Sequence, residues 1–281
     1  VTPFRDGAID EEALRGLVER QIEAGVDALV PCGSTGESAT LSHDEHRRVV
    51  EIVVAAAKGR VPVLAGAGSN NTREATELTR YARDAGAAGA LHISPYYNKP
   101  TQEGLVAHFA HIARETGFPL VVYNIPGRTA SNMLPATIAR LADIEEVVGV
   151  KEACGDLAQI AEVVALCPDE FAVLSGDDGL TLPILSVGGR GAISTTSNIA
   201  PKEVCALVAA ARGGDFPRAL EIHQRLMPLF DVLFCETNPI PLKAAMALLG
   251  WIGDEIRLPL TKLSEANRER LQLTLKELGI A

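Results

Sequence analysis

The sequence predicts an α/β fold: a TIM (β/α)8 barrel carrying a C-terminal helical extension. Three observations lead there. Short runs rich in Val, Ile and Ala alternate with segments of helical period, at a repeat of roughly 25–30 residues. The runs are apolar throughout, as the strands of a parallel sheet covered on both faces should be. The chain has 281 residues, enough for eight βα units at about 250 residues with some to spare.

The elements follow in order. Val1–Phe4 reads as the end of a first, truncated strand. In the helix after it, Leu14, Leu17, Val18 and Ile22 fall on one stripe. A strand at Val26–Pro31 precedes a helix from about Asp44 to Lys58. A strand at Val61–Ala65 precedes a helix over Thr72–Gly86, and a strand at Ala88–Ile93 precedes a helix over Glu103–Thr116. Strands at Pro119–Tyr123, Val147–Lys151, Phe171–Leu174 and Gly191–Ser194 continue the series. After Pro201 only helices are expected, over Glu203–Ala211, Pro217–Phe234, Pro239–Leu248 and Ser264–Leu278. The barrel is therefore expected over 1–211 and the extension over 212–281, with Arg212–Gly213–Gly214–Asp215 as the boundary. A doubly wound sheet is the alternative, because one sequence does not reveal strand order.

Composition narrows the function. With 26 basic and 36 acidic residues the formal net charge is −10. That balance argues against nucleic acid or an anionic membrane surface as the partner. No uncharged apolar run approaches the roughly 18 residues of a membrane span, and no secretory leader is visible. The chain opens on Val1 rather than Met, so the native start is expected upstream of it. The five cysteines are odd in number, widely spaced and lack a C-x-x-C, which predicts reduced thiols in a cytoplasmic protein. The closely spaced histidines, His43/His46 and His108/His111, have no thiol nearby, so no metal site is expected.

In a barrel the active site lies at the C-terminal strand ends. Lys151 ends the run Val147-Val148-Gly149-Val150 and is one of only seven lysines. A lysine in apolar surroundings loses its charge more readily, and its free amine can form a Schiff base with a carbonyl. The plainer alternative is a lysine that snorkels to solvent or pairs with Glu152 or Asp178. Three of the four tyrosines, Tyr96, Tyr97 and Tyr123, follow predicted strands, and a phenol can relay protons. Otherwise they are half-buried rings with a wet tip. Tyr96 and Tyr97 are neighbours on an extended segment, so they should not share one pocket. Gly33–Gly36 encloses Ser34 and Thr35, donors for a carboxylate or simply a capped turn. Arg128 follows a Pro-Gly turn, a rigid mount for a carboxylate clamp or a solvated loop arginine. Gly188–Gly191 precedes its strand and reads as a turn on the opposite face. His43 and His46 share a helix face, and spacing alone favours a solvent-facing pair.

These strand ends together resemble the dihydrodipicolinate synthase family of pyruvate-dependent class I aldolases. The resemblance is carried by Gly33-Ser34-Thr35-Gly36-Glu37, Ser94-Pro95-Tyr96-Tyr97-Asn98-Lys99-Pro100, Tyr123-Asn124-Ile125-Pro126-Gly127-Arg128-Thr129, Lys151-Glu152-Ala153, Ser175-Gly176-Asp177-Asp178 and Glu236-Thr237-Asn238-Pro239-Ile240-Pro241-Leu242-Lys243. It covers nearly the whole chain, in order and at family spacing. It implies condensation of pyruvate with L-aspartate 4-semialdehyde on the way to diaminopimelate and lysine, with no cofactor. Lys151 would carry the Schiff base and Tyr123 the protons. Ser34 would complete the hydroxyl relay with Tyr97, which in this family reaches in from a neighbouring subunit. Thr35 and the Ile193 backbone would hold pyruvate, Arg128 would take the semialdehyde carboxylate, and Gly176 would lie beside the imine. The resemblance further implies a homotetramer, a dimer of tight dimers. Inhibition by L-lysine would act through Ser38, Ala39, His43, His46, Asn70, Glu74 and Tyr96. Two positions depart from the usual pattern: Ser34 stands where threonine is common, and Cys154 likewise. Two competing readings share most of these features: a sialic-acid or 2-keto-3-deoxy-sugar-acid lyase on the same scaffold, and a silent ligand-binding paralogue. Arg128 argues against the first, and the presence of both Lys151 and Tyr123 against the second.

Overall fold

A computed structural model of the chain describes residues 1–280. The chain divides into two compact units, one formed by 1–63 with 194–281 and the other by 64–193.

The first unit opens with a hairpin. Strands β1 (Phe4–Arg5) and β2 (Ala8–Ile9) pair antiparallel around Asp6–Gly7, both with positive φ, the backbone a tight hairpin turn requires. This corrects the expectation that Val1–Phe4 ends a barrel strand. Helix α1 (Glu11–Glu23) starts where the Asp10 carboxylate accepts from the Ala13 amide. Helix α2 (His43–Ala57) starts at a Ser42/Glu45 capping box. The two helices pack on each other, with Leu14 and Val18 of α1 and Val49, Val50 and Val53 of α2 buried. The strand expected at Val26–Pro31 is reduced to a single parallel bridge, Leu29 to Val63. Pro31 and Pro62 lack the amides that would extend a ladder there.

The second unit holds a six-stranded sheet, all parallel. Its strands are β3 (Leu64–Gly66), β4 (Gly89–Ile93), β5 (Leu120–Asn124), β6 (Val147–Glu152), β7 (Ala172–Ser175) and β8 (Gly191–Ala192). Each strand neighbours the next in chain order. A doubly wound sheet reverses direction at a switch point, so this order removes that alternative. β5 is buried along its whole length, as continuous apolar strands predict. The crossovers run through α3 (Thr72–Asp84), α4 (Gln102–Thr116), α5 (Pro126–Thr129), α6 (Pro135–Ala142), α7 (Leu157–Leu166) and α8 (Thr181–Ser186). The last three fall outside the predicted helices, because 6 to 10 residues are too few for a clear period.

The β5–β6 pairing is irregular. Leu120 pairs with Val147, but Val121 pairs with Gly149, so Val148 is an extra residue in β6 and lies 42% exposed. Glycine is required at 149: a Cβ there would sit 2.5 Å from the Ala172 carbonyl oxygen.

The chain after β8 returns to the first unit as helices α9 (Pro201–Arg212), α10 (Phe216–Val232), α11 (Ile240–Leu248) and α12 (Glu265–Glu277), close to the predicted spans. α9 packs on α10, and both α10 and α11 pack on α12.

Candidate active site

The C-terminal ends of β5, β6 and β7 build the site in the second unit. Tyr123 and Lys151 are direct partners in the β5–β6 register, and Leu174 flanks Lys151 on β7. The Lys151 Nζ stands 4.2 Å from the centre of the Tyr123 ring. Lys151 is partly exposed, so its amine is enclosed yet reachable. Burial lowers its pKa to about 8; the Asp178 carboxylate opposes that shift and the Arg128 cation adds to it. Tyr123 is 5% exposed, and its burial pushes the phenol up to about 12. The phenol therefore keeps its proton at neutral pH and can donate it.

Gly176 follows β7 and leaves the space into which Lys151 extends. A Cβ at 176 would lie 2.8 Å from the Lys151 Cε and 3.0 Å from both the Lys151 Cγ and the Ala153 Cβ. The Gly176 amide donates to the Glu152 carbonyl at 2.6 Å. Ile193 follows β8, and its amide donates to the Ser175 carbonyl at 2.8 Å. Arg128 lies in α5, whose Pro126 start and Ala130 left-handed end make a one-turn mount. The guanidinium is exposed, and its charge is felt at both Lys151 and Tyr123. Lys151, Tyr123, Gly176 and Arg128 are thus brought together. The alternative pairing of Lys151 with Glu152 does not occur: Glu152 points to the other face and accepts from Asn124. Asp178, 4% exposed, is the counter-charge; its position after an apolar strand was the sequence signal for it.

Tyr96 and Tyr97 differ in exposure and backbone. Tyr97 is 90% exposed on left-handed backbone (φ 72°), while Tyr96 is 39% exposed. The Tyr96 carbonyl accepts from the Asn70 side chain at 3.1 Å, and the Asn98 side chain donates back to the Asn70 carbonyl at 2.9 Å. Ser69 donates to the Glu74 carboxylate close by.

The loop Gly33–Glu37 belongs to the first unit. The Asn238 side chain donates to the Thr35 Oγ1 at 2.9 Å, and the Thr195 hydroxyl stands 3.5 Å from the same atom. The Ser34 carbonyl accepts from the Glu37 amide in a tight turn. Glu37 is buried and takes a 2.5 Å hydrogen bond from the Lys243 ammonium, which also donates to the Thr2 carbonyl. Asn238 and Lys243 were not among the predicted site residues; the only sequence signal for them is the Asn-Pro-Ile-Pro-Leu-Lys run. Ser38 and Ala39 form a single 3-10 turn before α2. His43 is exposed at the start of α2, whereas His46 is only 8% exposed. The solvent-facing pair favoured by spacing is therefore corrected: one turn of helix carries His46 into the interior.

Among the described residues no group of three or more His, Cys, Asp or Glu is arranged to hold a metal ion, and no helix is long and apolar enough to cross a membrane. All five cysteines are free thiols.

Known proteins give the same picture. The model of the dihydrodipicolinate synthetase family matches residues 1–278. The curated 4-hydroxy-tetrahydrodipicolinate synthase of Nitratidesulfovibrio vulgaris is 58% identical over 281 residues, covering 100% of this chain and 96% of its own. The chloride-inhibited dihydrodipicolinate synthase of Acinetobacter baumannii, solved with pyruvate, aligns at TM-score 0.98 and 44% identity, over 100% of this chain and 97% of that one. The enzyme of Cyanidioschyzon merolae, solved with lysine bound, aligns at TM-score 0.97 and 41% identity, over 100% and 96%. The fold class is accordingly the TIM barrel with C-terminal helices that the sequence predicts. A match that runs from the first residue to the last helix, in sequence and in structure alike, leaves one conclusion: the chain belongs to the dihydrodipicolinate synthetase family.

Proposed function

We propose that this chain is a 4-hydroxy-tetrahydrodipicolinate synthase, condensing pyruvate with L-aspartate 4-semialdehyde through a Schiff base on Lys151. The observation that carries the reading is the pairing of an amine lowered to about 8 with a protonated phenol, Tyr123, on the adjacent strand. The Lys151 amine attacks the keto carbon of pyruvate, and Tyr123 donates the proton that lets the hydroxyl leave as water. Loss of a methyl proton from the imine gives an enamine. Its carbon attacks the aldehyde, whose oxygen takes up a proton. The amino group of the semialdehyde then displaces the Lys151 amine and closes the ring. One water is lost overall, at imine formation.

In this reading Gly176 makes room for the imine, and Thr35 and the Ile193 backbone hold the pyruvate carboxylate. Arg128 takes the semialdehyde carboxylate. Ser34 joins the relay, and Tyr97 completes it in a neighbouring copy, for which its exposed ring is suited. The active protein is a homotetramer of cytoplasmic location. L-lysine inhibits it through Ser38, Ala39, His43, His46, Asn70, Glu74 and Tyr96.

The test is intact-mass spectrometry after borohydride reduction with pyruvate, on the wild type and Lys151→Ala, followed by a coupled assay with L-aspartate 4-semialdehyde. A pyruvate adduct lost in the variant, with semialdehyde consumed and consumption suppressed by lysine, is the expected result. An adduct without semialdehyde turnover moves the assignment to a sugar-acid lyase, and no adduct overturns the reading.

A further inference from the structure

Two buried polar residues stand immediately after the reactive pair. Asn124 follows Tyr123, Glu152 follows Lys151, and both are 0% exposed. Strand alternation turns their side chains away from the face that Tyr123 and Lys151 share. The Asn124 amide donates to the Glu152 carboxylate at 2.9 Å and to the Asn132 side chain at 2.9 Å, while its oxygen accepts from the Met133 amide at 3.0 Å. Glu152 also accepts from the Cys154 amide at 3.3 Å. Gln159 closes the network on Asn132.

The β-bulge explains what such a network would be for. Before Val148 the two strands run in one register, with Leu120 opposite Val147; after it they run in another. Had the first register continued, Tyr123 would stand opposite Val150, and Asn124 opposite Lys151. A one-residue slip moves every side chain to the other face. The two strands thus change register once, at the bulge, and a parallel ladder pairs its backbone groups in either register, so side chains must discriminate between them. Only the observed register sets Asn124 opposite Glu152, and only that register sets Tyr123 opposite Lys151.

We infer that Asn124 and Glu152 are positioning residues, a buried donor–acceptor pair that selects the register in which Tyr123 faces Lys151. The inference rests on the Schiff-base reading for its catalytic meaning and on the strand pairing for its geometry.

Reversing the pair tests it. Asn124→Asp sets carboxylate against carboxylate, and Glu152→Gln sets amide against amide. Each is expected to lower kcat about 10²-fold, the effect of displacing a catalytic group by an ångström or so, while KM for pyruvate changes little. The double variant restores one donor and one acceptor, because the amides of Asn132 and Gln159 can turn over together, and it returns kcat to within about tenfold of wild type. Competitive acetylation of the Lys151 amine supplies a readout independent of substrate. In each single variant it moves toward an ordinary lysine, and in the double it moves back. If a single variant does not fold, Asn132→Ala, at the partly exposed end of the network, is expected to act in the same direction at about tenfold. Wild-type kcat and labelling in both single variants, or a double as poor as the worse single, would overturn the inference. Absence of a pyruvate adduct in the wild type would instead overturn the Schiff-base reading, and the labelling would still decide the register.

Discussion

The pKa of Lys151 makes a quantitative prediction. At a value of about 8, roughly a tenth of the amine is free at pH 7, against about 0.03% for an ordinary lysine at about 10.5. The reactive form is thus enriched about 300-fold. Below pH 8 the rate of imine formation should rise about tenfold per pH unit, and above it the rate should level off. The assay exposes the protein briefly to pyruvate at each pH and quenches with excess borohydride, so that reduction does not set the profile. Asp178→Asn removes the carboxylate that holds the pKa up, and the inflection moves to lower pH; Arg128→Gln moves it higher. Linkage supplies a second check. The folded pKa lies below the unfolded one, so folding disfavours the ammonium. The cost is complete below pH 8, shrinks from pH 8 to about 10.5 as the unfolded chain alone stays protonated, and vanishes above. It amounts to at most about 3 kcal/mol. Lys151→Met should therefore raise unfolding stability at pH 7 by up to that amount, and by nothing near pH 11. An imine-formation rate that climbs without a plateau to pH 10 would refute the claim that burial activates this amine.

Three further perturbations follow from the same geometry. Gly176→Ala places a carbon 2.8 Å from the Lys151 Cε and 3.0 Å from the Ala153 Cβ; we expect kcat/KM to fall about 10²-fold with melting little changed, read by steady-state kinetics and calorimetry. Lys243→Met leaves the buried Glu37 carboxylate without the ammonium that now lies 2.5 Å away. It should cost about 3–5 kcal/mol in urea unfolding, most of it recovered when Glu37→Leu is added. Asn238→Ala removes the donor to the Thr35 hydroxyl. At about 1 kcal/mol per hydrogen bond it should raise KM for pyruvate about fivefold and leave the Lys151 pH profile in place.

Several parts of the fold are legible in the sequence. The apolar runs ending at Ile93, Tyr123 and Lys151 became β4, β5 and β6 within a residue or two, because a buried parallel strand needs apolar side chains on both faces. Three of the C-terminal helices were legible because 12 to 17 residues show a helical period, and the shorter α11 because prolines mark its start. The N-terminal strand was not: Val26–Pro31 carries the same apolar signal, yet the prolines beside it limit its pairing to a bridge. His46 misled for a similar reason, since spacing places it on a face with His43 but says nothing of which neighbour covers that face.

The sequence by itself determined what each short stretch can become and which chemistry it carries: a lysine ending an apolar run, tyrosines at strand ends, hydroxyls between glycines. Only the tertiary structure decided what those groups meet. The register beyond the bulge at Val148 sets Tyr123 against Lys151. Gly176 opened the space for that lysine, and Asn238 and Lys243 closed on Thr35 and Glu37 across more than 200 residues of chain. Periodicity is written within a turn or two of backbone, whereas such pairings depend on how whole elements pack, and no local window contains both partners.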